Sequence, residues 1–239
     1  MKKWLCLMLL STTGFFGSLA WAGTAREDAI DRLKDSTEVL QAIMAAPDSG
    51  IPEEVLENAK CMIVVPNLLK AGFIFGGKHG KGIATCRTSS GWSAPAFVTV
   101  GGGSAGLQIG VQGVDLVMLV MNDQGLQDLL SSKFEITGEG SAAAGPVGRH
   151  ASAGTDWKMT TKLLTYSRAK GLFAGLTLEG AVVKQDDDST RAIYNQKVPF
   201  GTVLSGKQAT PQVAAEFMRA VSAASRQAGV AEAKEEARK

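Results

Sequence analysis

Between Thr24 and Ala46 the apolar positions Ile30, Leu33, Leu40 and Met44, with Thr37 as a weaker member, step by three and four residues. That spacing sets them on one stripe of a helix. Pro47-Asp48-Ser49-Gly50 then stops it, and Pro52 followed by Glu53-Glu54 predicts a second, short helix over Pro52 to Ala59. Beyond it the period changes to that of strands. Cys61 to Val65 is an apolar run, Phe73-Ile74-Phe75 and Ile83-Ala84-Thr85 flank a glycine-rich turn at Gly76 to Lys81, and Ala96 to Val100 is a further strand. Leu107, Ile109 and Val111 alternate with Gln108, Gly110 and Gln112, predicting one buried and one solvated face. Leu116 to Met121 is apolar on both faces, as a central strand is.

Glycine is concentrated in this middle region, with twelve of the 28 between Gly72 and Gly113. Tight turns are expected there, one of them at Gly101 to Gly106. Downstream, Asn122-Asp123 can cap a helix over Leu126 to Ser131, while Tyr166-Ser167-Arg168 and Leu172 to Val183 give more strand. Gln185-Asp186-Asp187-Asp188 reads as a solvated turn, and Thr210-Pro211 caps a helix carrying Val213, Phe217 and Val221. There is no repeat of fixed period and no linker. The expected fold is therefore α+β, a single domain over residues 23–230 with a curved or barrel-like antiparallel Gly-rich sheet flanked by N- and C-terminal helices, then a flexible charged tail over 231–239.

Residues 1–22 have the parts of a secretory signal: Lys2 and Lys3, an uncharged apolar stretch from Trp4 to Leu19, and Ala20-Trp21-Ala22 as a cleavage site. Export to the periplasm or envelope with cleavage at Ala22 is expected; an uncleaved anchor is the competing reading, since a span needs roughly 20 apolar residues. Cleavage takes Lys2 and Lys3 from the 25 bases and leaves 23 against 23 acids. Global charge then offers nothing to nucleic acid. Cys61 and Cys86 survive cleavage, and an even pair in an oxidising compartment points to a disulfide, with two buried thiols as the other possibility.

The motifs that could carry catalysis do not. Gly101 to Gly106 matches G-x-G-x-x-G, but a strand follows where a dinucleotide site needs a helix. Gly72 to Lys78 and Gly201 to Lys207 have phosphate-loop spacing but are followed by His79 and Gln208 in place of the Mg²⁺-binding hydroxyl. No nucleotide or other cofactor is expected. His79 and His150 lie at no metal-ligand spacing, and neither comes with a nucleophile partner. No metal and no catalytic residue is assigned. Charge distribution is more informative: from Glu57 to Asp115 there is no acid, while Lys60, Lys70, Lys78, Lys81 and Arg87 accumulate. Sharing one face, such side chains would attract anions such as lipid phosphates; pointing apart, they would only aid solubility.

Several segments in order resemble the SYLF domain family: Ile51 to Lys60, Lys70-Ala71-Gly72-Phe73 with Gly76-Gly77 and Gly80-Lys81-Gly82, Gly91-Trp92-Ser93-Ala94-Pro95, Gln108-Ile109-Gly110 with Asp115-Leu116-Val117, Gly145 to Arg149, and Tyr166 to Gly175. The likeness runs over roughly residues 30 to 225. It implies a lipid-binding module, exported in bacterial members and associated with actin patches in eukaryotic ones. Residues 26 to 46, with Arg26, Arg32 and Lys34 against Glu27, Asp28, Asp31, Asp35 and Glu38, carry the wrong charge for anionic lipid and should pack on the sheet. The expected function is non-catalytic binding of phospholipid or a membrane surface in a bacterial envelope, through Lys78, Lys81 and Arg87, with Lys70 and Arg149 as further phosphate contacts. A structural or protein-interaction module with no lipid ligand is the alternative, and no protein partner is named.

Overall fold

Helix α1 (Gly17–Met44) opens the computed structural model, which describes residues 17–46, 50–72, 75–105, 110–131, 133–136, 142–146, 161–169, 172–173, 178 and 180–236. Its predicted stripe is buried at Leu33, Thr37 and Leu40, and Ala29 and Ile43 widen it. Helix α2 (Glu53–Asn58) follows Pro52, with Val55 and Leu56 buried. The acidic α1 packs on the sheet, as its charge predicts.

Among the described residues ten strands follow: β1 (Cys61–Gly72), β2 (Phe75–Thr88), β3 (Gly91–Trp92), β4 (Ala96–Ala105), β5 (Gly110–Val120), β6 (Lys133–Glu135), β7 (Ala142–Ala144), β8 (Leu163–Ala169), β9 (Leu172–Phe173) and β10 (Ala181–Gln185). Their order is β6-β10-β4-β2-β1-β5-β8-β7, with β3 beside β2 and β9 beside β8. The sheet curls into a half-barrel. It is mixed rather than purely antiparallel, because β7 runs parallel to β8. Among the described residues, helices α3 (Asp123–Leu130), α4 (Asp187–Tyr194), α5 (Phe200–Leu204) and α6 (Ala215–Glu236) pack around it, with a 3-10 turn at Gln212–Ala214 before α6.

Both faces of the sheet are packed. On the first, Met62, Val64, Ile83, Phe97, Val117 and Leu119 meet α1, α2 and α6. On the second, Ile63, Val65, Val98, Leu116, Met118 and Val183 meet Leu129 of α3 and Phe200 and Val203 of α5. Double-sided burial explains the unbroken apolar run of β5. Each fully buried Phe or Leu contributes about 1.5–3 kcal/mol.

Three local expectations are corrected. Gly76 to Lys81 is not a turn but part of the 14-residue β2, and 101–105 continue β4. Glycine serves the packing there: a Cβ on Gly82 would run into the Val64 carbonyl and the Val65 side chain of β1. The acidic 185–188 segment is not a solvated turn either, since Asp186 caps α4 and is buried. Finally, Val111 is 76% exposed rather than buried; Leu107 and Ile109, its predicted companions, lie outside the described residues.

Candidate functional site

The sheet has two unlike ends. At one, Cys61 and Cys86 sit directly opposite each other on β1 and β2 and are joined by a disulfide. Arg87 belongs to this end. Its guanidinium donates to the Leu56 and Ala59 carbonyls at 2.8 and 3.0 Å and lies 4.7 Å from the Trp92 ring centroid. Trp92 in turn donates to Ser225 Oγ of α6 at 3.0 Å, so Arg87 ties α2, β3 and α6 together.

The other, open end is where β1 passes to β2 and β4 to β5. Lys70 and Lys78 are in register on adjacent strands and so project from the same, second face. Lys78 is only 4% exposed and has further interactions of its own, while Lys70 is half-buried. Lys81 projects from the first face, half exposed, 3.5 Å from Asp186. Of the five predicted phosphate contacts, then, the structure brings Lys70 and Lys78 together and sets Lys81 across the sheet from them. Arg87 stands nine residues beyond Lys78, roughly 30 Å at about 3.3 Å per residue, and Arg149 lies outside the described residues.

Sequence reasoning missed a polar cluster beneath Lys81. Arg32 of α1 donates to Asp186 Oδ2 at 3.0 Å and to Ser189 Oγ at 3.2 Å, with its guanidinium 5.6 Å from the Phe97 ring centroid. Asp186 also accepts from the Ser189 N–H at 3.2 Å and from Ser189 Oγ at 2.8 Å. Burial on its own raises the Asp186 pKa, but the two Ser189 hydrogen bonds and the Arg32 and Lys81 charges together hold the carboxyl below its ordinary value. A detectable signal existed: an Asp three residues before Ser189, with two more acids in the first turn, is an N-cap pattern.

Two family-like segments meet at Tyr166, which is 1% exposed on β8. Burial pushes its hydroxyl pKa up. A Cβ on Gly145 would collide with the Tyr166 ring and hydroxyl, so the glycine is dictated by close packing. Gly145→Ala is expected to cost about 1–3 kcal/mol, the range for overpacking. Urea unfolding reads it, and an unchanged midpoint would mean that this segment retreats freely.

Among the described residues no group of His, Cys, Asp and Glu is placed to hold a metal ion. A model of the Ysc84 family, described as Las17-binding protein actin regulator, matches residues 101–224. The SH3 domain-containing protein PJ696.02 of Schizosaccharomyces pombe is 38% identical over 173 residues, covering 71% of this chain and 40% of that protein. Protein YSC84 of Saccharomyces cerevisiae is 32% identical over 176 residues, 72% of this chain and 37% of its own length. The human SH3 domain-containing YSC84-like protein 1 is 29% identical over 187 residues, 77% of this chain and 54% of its own. The chain thus spans between about a third and a half of these relatives.

Proposed function

The chain belongs to the Ysc84 family, and we propose that it is a non-catalytic module that binds anionic phospholipid through the open end of its sheet. One observation carries this reading: toward the open end β1, β2 and β4 hold Lys70, Lys78, His79 and Lys81 and no carboxylate, with Arg87 at the far end of β2. Among the described residues no ion pair engages Lys70, so its charge is available to an anion. Each base at an anionic bilayer is worth about 1 kcal/mol. We further propose that residues 1–22 direct export to a bacterial envelope, where the Cys61–Cys86 bond would persist. The binding of Las17 named for the family model is a property of those proteins; a protein ligand at this surface is the competing outcome of the test below.

Cosedimentation of the protein lacking residues 1–22 with vesicles separates the two. Retention is expected on phosphatidylcholine vesicles containing phosphatidylglycerol, not on phosphatidylcholine alone, and it should fall with salt. Lys70→Gln/Lys81→Gln should bind about 30-fold more weakly, the equivalent of ~2 kcal/mol, while its stability to urea falls by no more than about 1 kcal/mol through loss of the half-exposed Lys81–Asp186 pair. Equal retention on neutral and anionic vesicles would sink the electrostatic reading.

A further inference from the structure

We infer that the edge of β5 at the open end is a docking site for an extended protein segment. The segment adds to the sheet as an antiparallel strand, with a base opposite Gly113 and an apolar side chain opposite Val111. The inference goes beyond the lipid reading and uses neither Lys70 nor Lys78.

Strand pairing leaves a slot at this edge. β1 pairs with β5 along 110–114, but β8 pairs with it only from Asp115 to Val120. At Arg168 and Ala169, the last residues of β8, the opposite edge pairs with β9. Among the described residues no strand continues the line of β8 beside Gly110 to Val114. Backbone polar groups of a strand alternate between its two edges. Met121 N–H donates to the Lys162 carbonyl at 2.9 Å, on the β8 side. Counting back by twos through Asp115, Gly113 and Val111 direct their N–H and C=O into the slot. Such a row is a template for a further strand.

On the first face the slot has an apolar floor and an acidic rim. Val111, 76% exposed, lies opposite Ala71 on β1, and Leu69, 45% exposed, lies opposite Gly113. Just inward, α1 packs on β1, β2 and β5. Its Asp31, Asp35 and Glu38 step by four and three residues, so they share one side of the helix, and all are exposed. Burial raises the Asp35 pKa, with smaller contributions from the charges of Glu38, Asp31 and Asp115, so these acids stand within electrostatic reach of the inner end of the slot. Arg168, at 3.3 Å, already answers Asp115. Among the described residues no ion pair engages Asp31, Asp35 or Glu38. A base above Gly113 would meet them, and an apolar side chain beside Val111 would cover it. The bases of this face stand farther off: His79 is on β2, beyond β1, Lys81 is held by Asp186, and Lys184 is on β10. A second copy offering its own β5 edge fits poorly, because Gly110 to Val114 carries no base.

Fluorescence anisotropy with a labelled, acetylated and amidated peptide, Thr-Lys-Thr-Val-Thr, tests this. The wild-type protein should bind it. Methylating the lysine and valine backbone nitrogens, which removes the N–H groups donated to the Gly113 and Val111 carbonyls, should weaken binding at least about tenfold. Val111→Pro removes a donor of the slot and leaves the β1–β5 bonds in place; it should cost a similar factor. Asp31→Asn/Asp35→Asn/Glu38→Gln should bind the peptide about fivefold more weakly at low salt, and should not change binding of a peptide with norleucine for lysine. Absence of binding by the wild type overturns the inference. So does equal binding of the parent and methylated peptides, or of the parent peptide by the wild type and the triple variant. A wild-type dimer that Val111→Pro dissolves would overturn it in favour of a second copy.

Discussion

Asp186→Ala is expected to lower folding stability by about 3–5 kcal/mol, the range found when one partner of a buried ion pair is removed. The side chains of Arg32 and Asp186 are 6% and 8% exposed, so alanine would leave the guanidinium buried without its counter-charge. It would also remove the cap of α4, where Asp186 accepts from the Ser189 N–H. Arg32→Met/Asp186→Asn should lose less than the two single changes together, since neither buried charge is then stranded. Urea melts read all of these; a loss below about 1 kcal/mol for Asp186→Ala would mean that water already reaches the pair. The same carboxyl predicts a pH dependence. Its folded pKa lies below the ordinary 3.8, so its contribution is complete above that value and is lost as pH falls below it toward the folded pKa.

Breaking the Cys61–Cys86 bond is expected to cost about 3 kcal/mol. The sequence separation is 25 residues, and closing a loop of that length in the unfolded chain is worth about 3–4 kcal/mol in the chain-entropy model. Cys61→Ala/Cys86→Ala should therefore unfold at clearly lower urea than the oxidised protein. Because the two residues are 0% and 1% exposed, reductant should act on the wild type only as it opens. Coincident midpoints for the variant and the oxidised wild type would contradict this. The bond joins β1 to β2 at the end where Arg87 also gathers α2, β3 and α6, so its loss would loosen one end of the sheet and leave the open end as it is.

The two effects differ in how visible their residues are along the chain. Cys61 and Cys86 are recognisable as a pair because they lie in facing strand-like runs. Asp186 is masked by its neighbours: Asp187 and Asp188 are exposed, and although the cap on Ser189 is local, the ion pair that goes with its burial reaches Arg32, 154 positions away. Long-range ion pairs leave no local pattern, whereas a helix stripe or a central strand does.

What the amino-acid order determined by itself is what depends on near neighbours. The α1 stripe, Pro52 at the entry to α2, Asn122 at the cap of α3 and the two-sided burial of 116–120 all follow from periodicity and from which side chains satisfy a helix end. Composition likewise settled that bases without acids gather in the middle of the chain. Tertiary structure alone decided where those bases point. In a strand, successive side chains alternate between faces, so a glycine run read as a turn instead of strand loses the register; Gly76 to Lys81, once part of β2, puts Lys78 beside Lys70 and Lys81 on the opposite face. The exposure of Leu69 and Val111 was decided in the same way, by where α1, α2 and α6 stop covering the sheet. Apolar residues are written alike whether they fill a core or wait at a surface, and only the packing of distant elements distinguishes them.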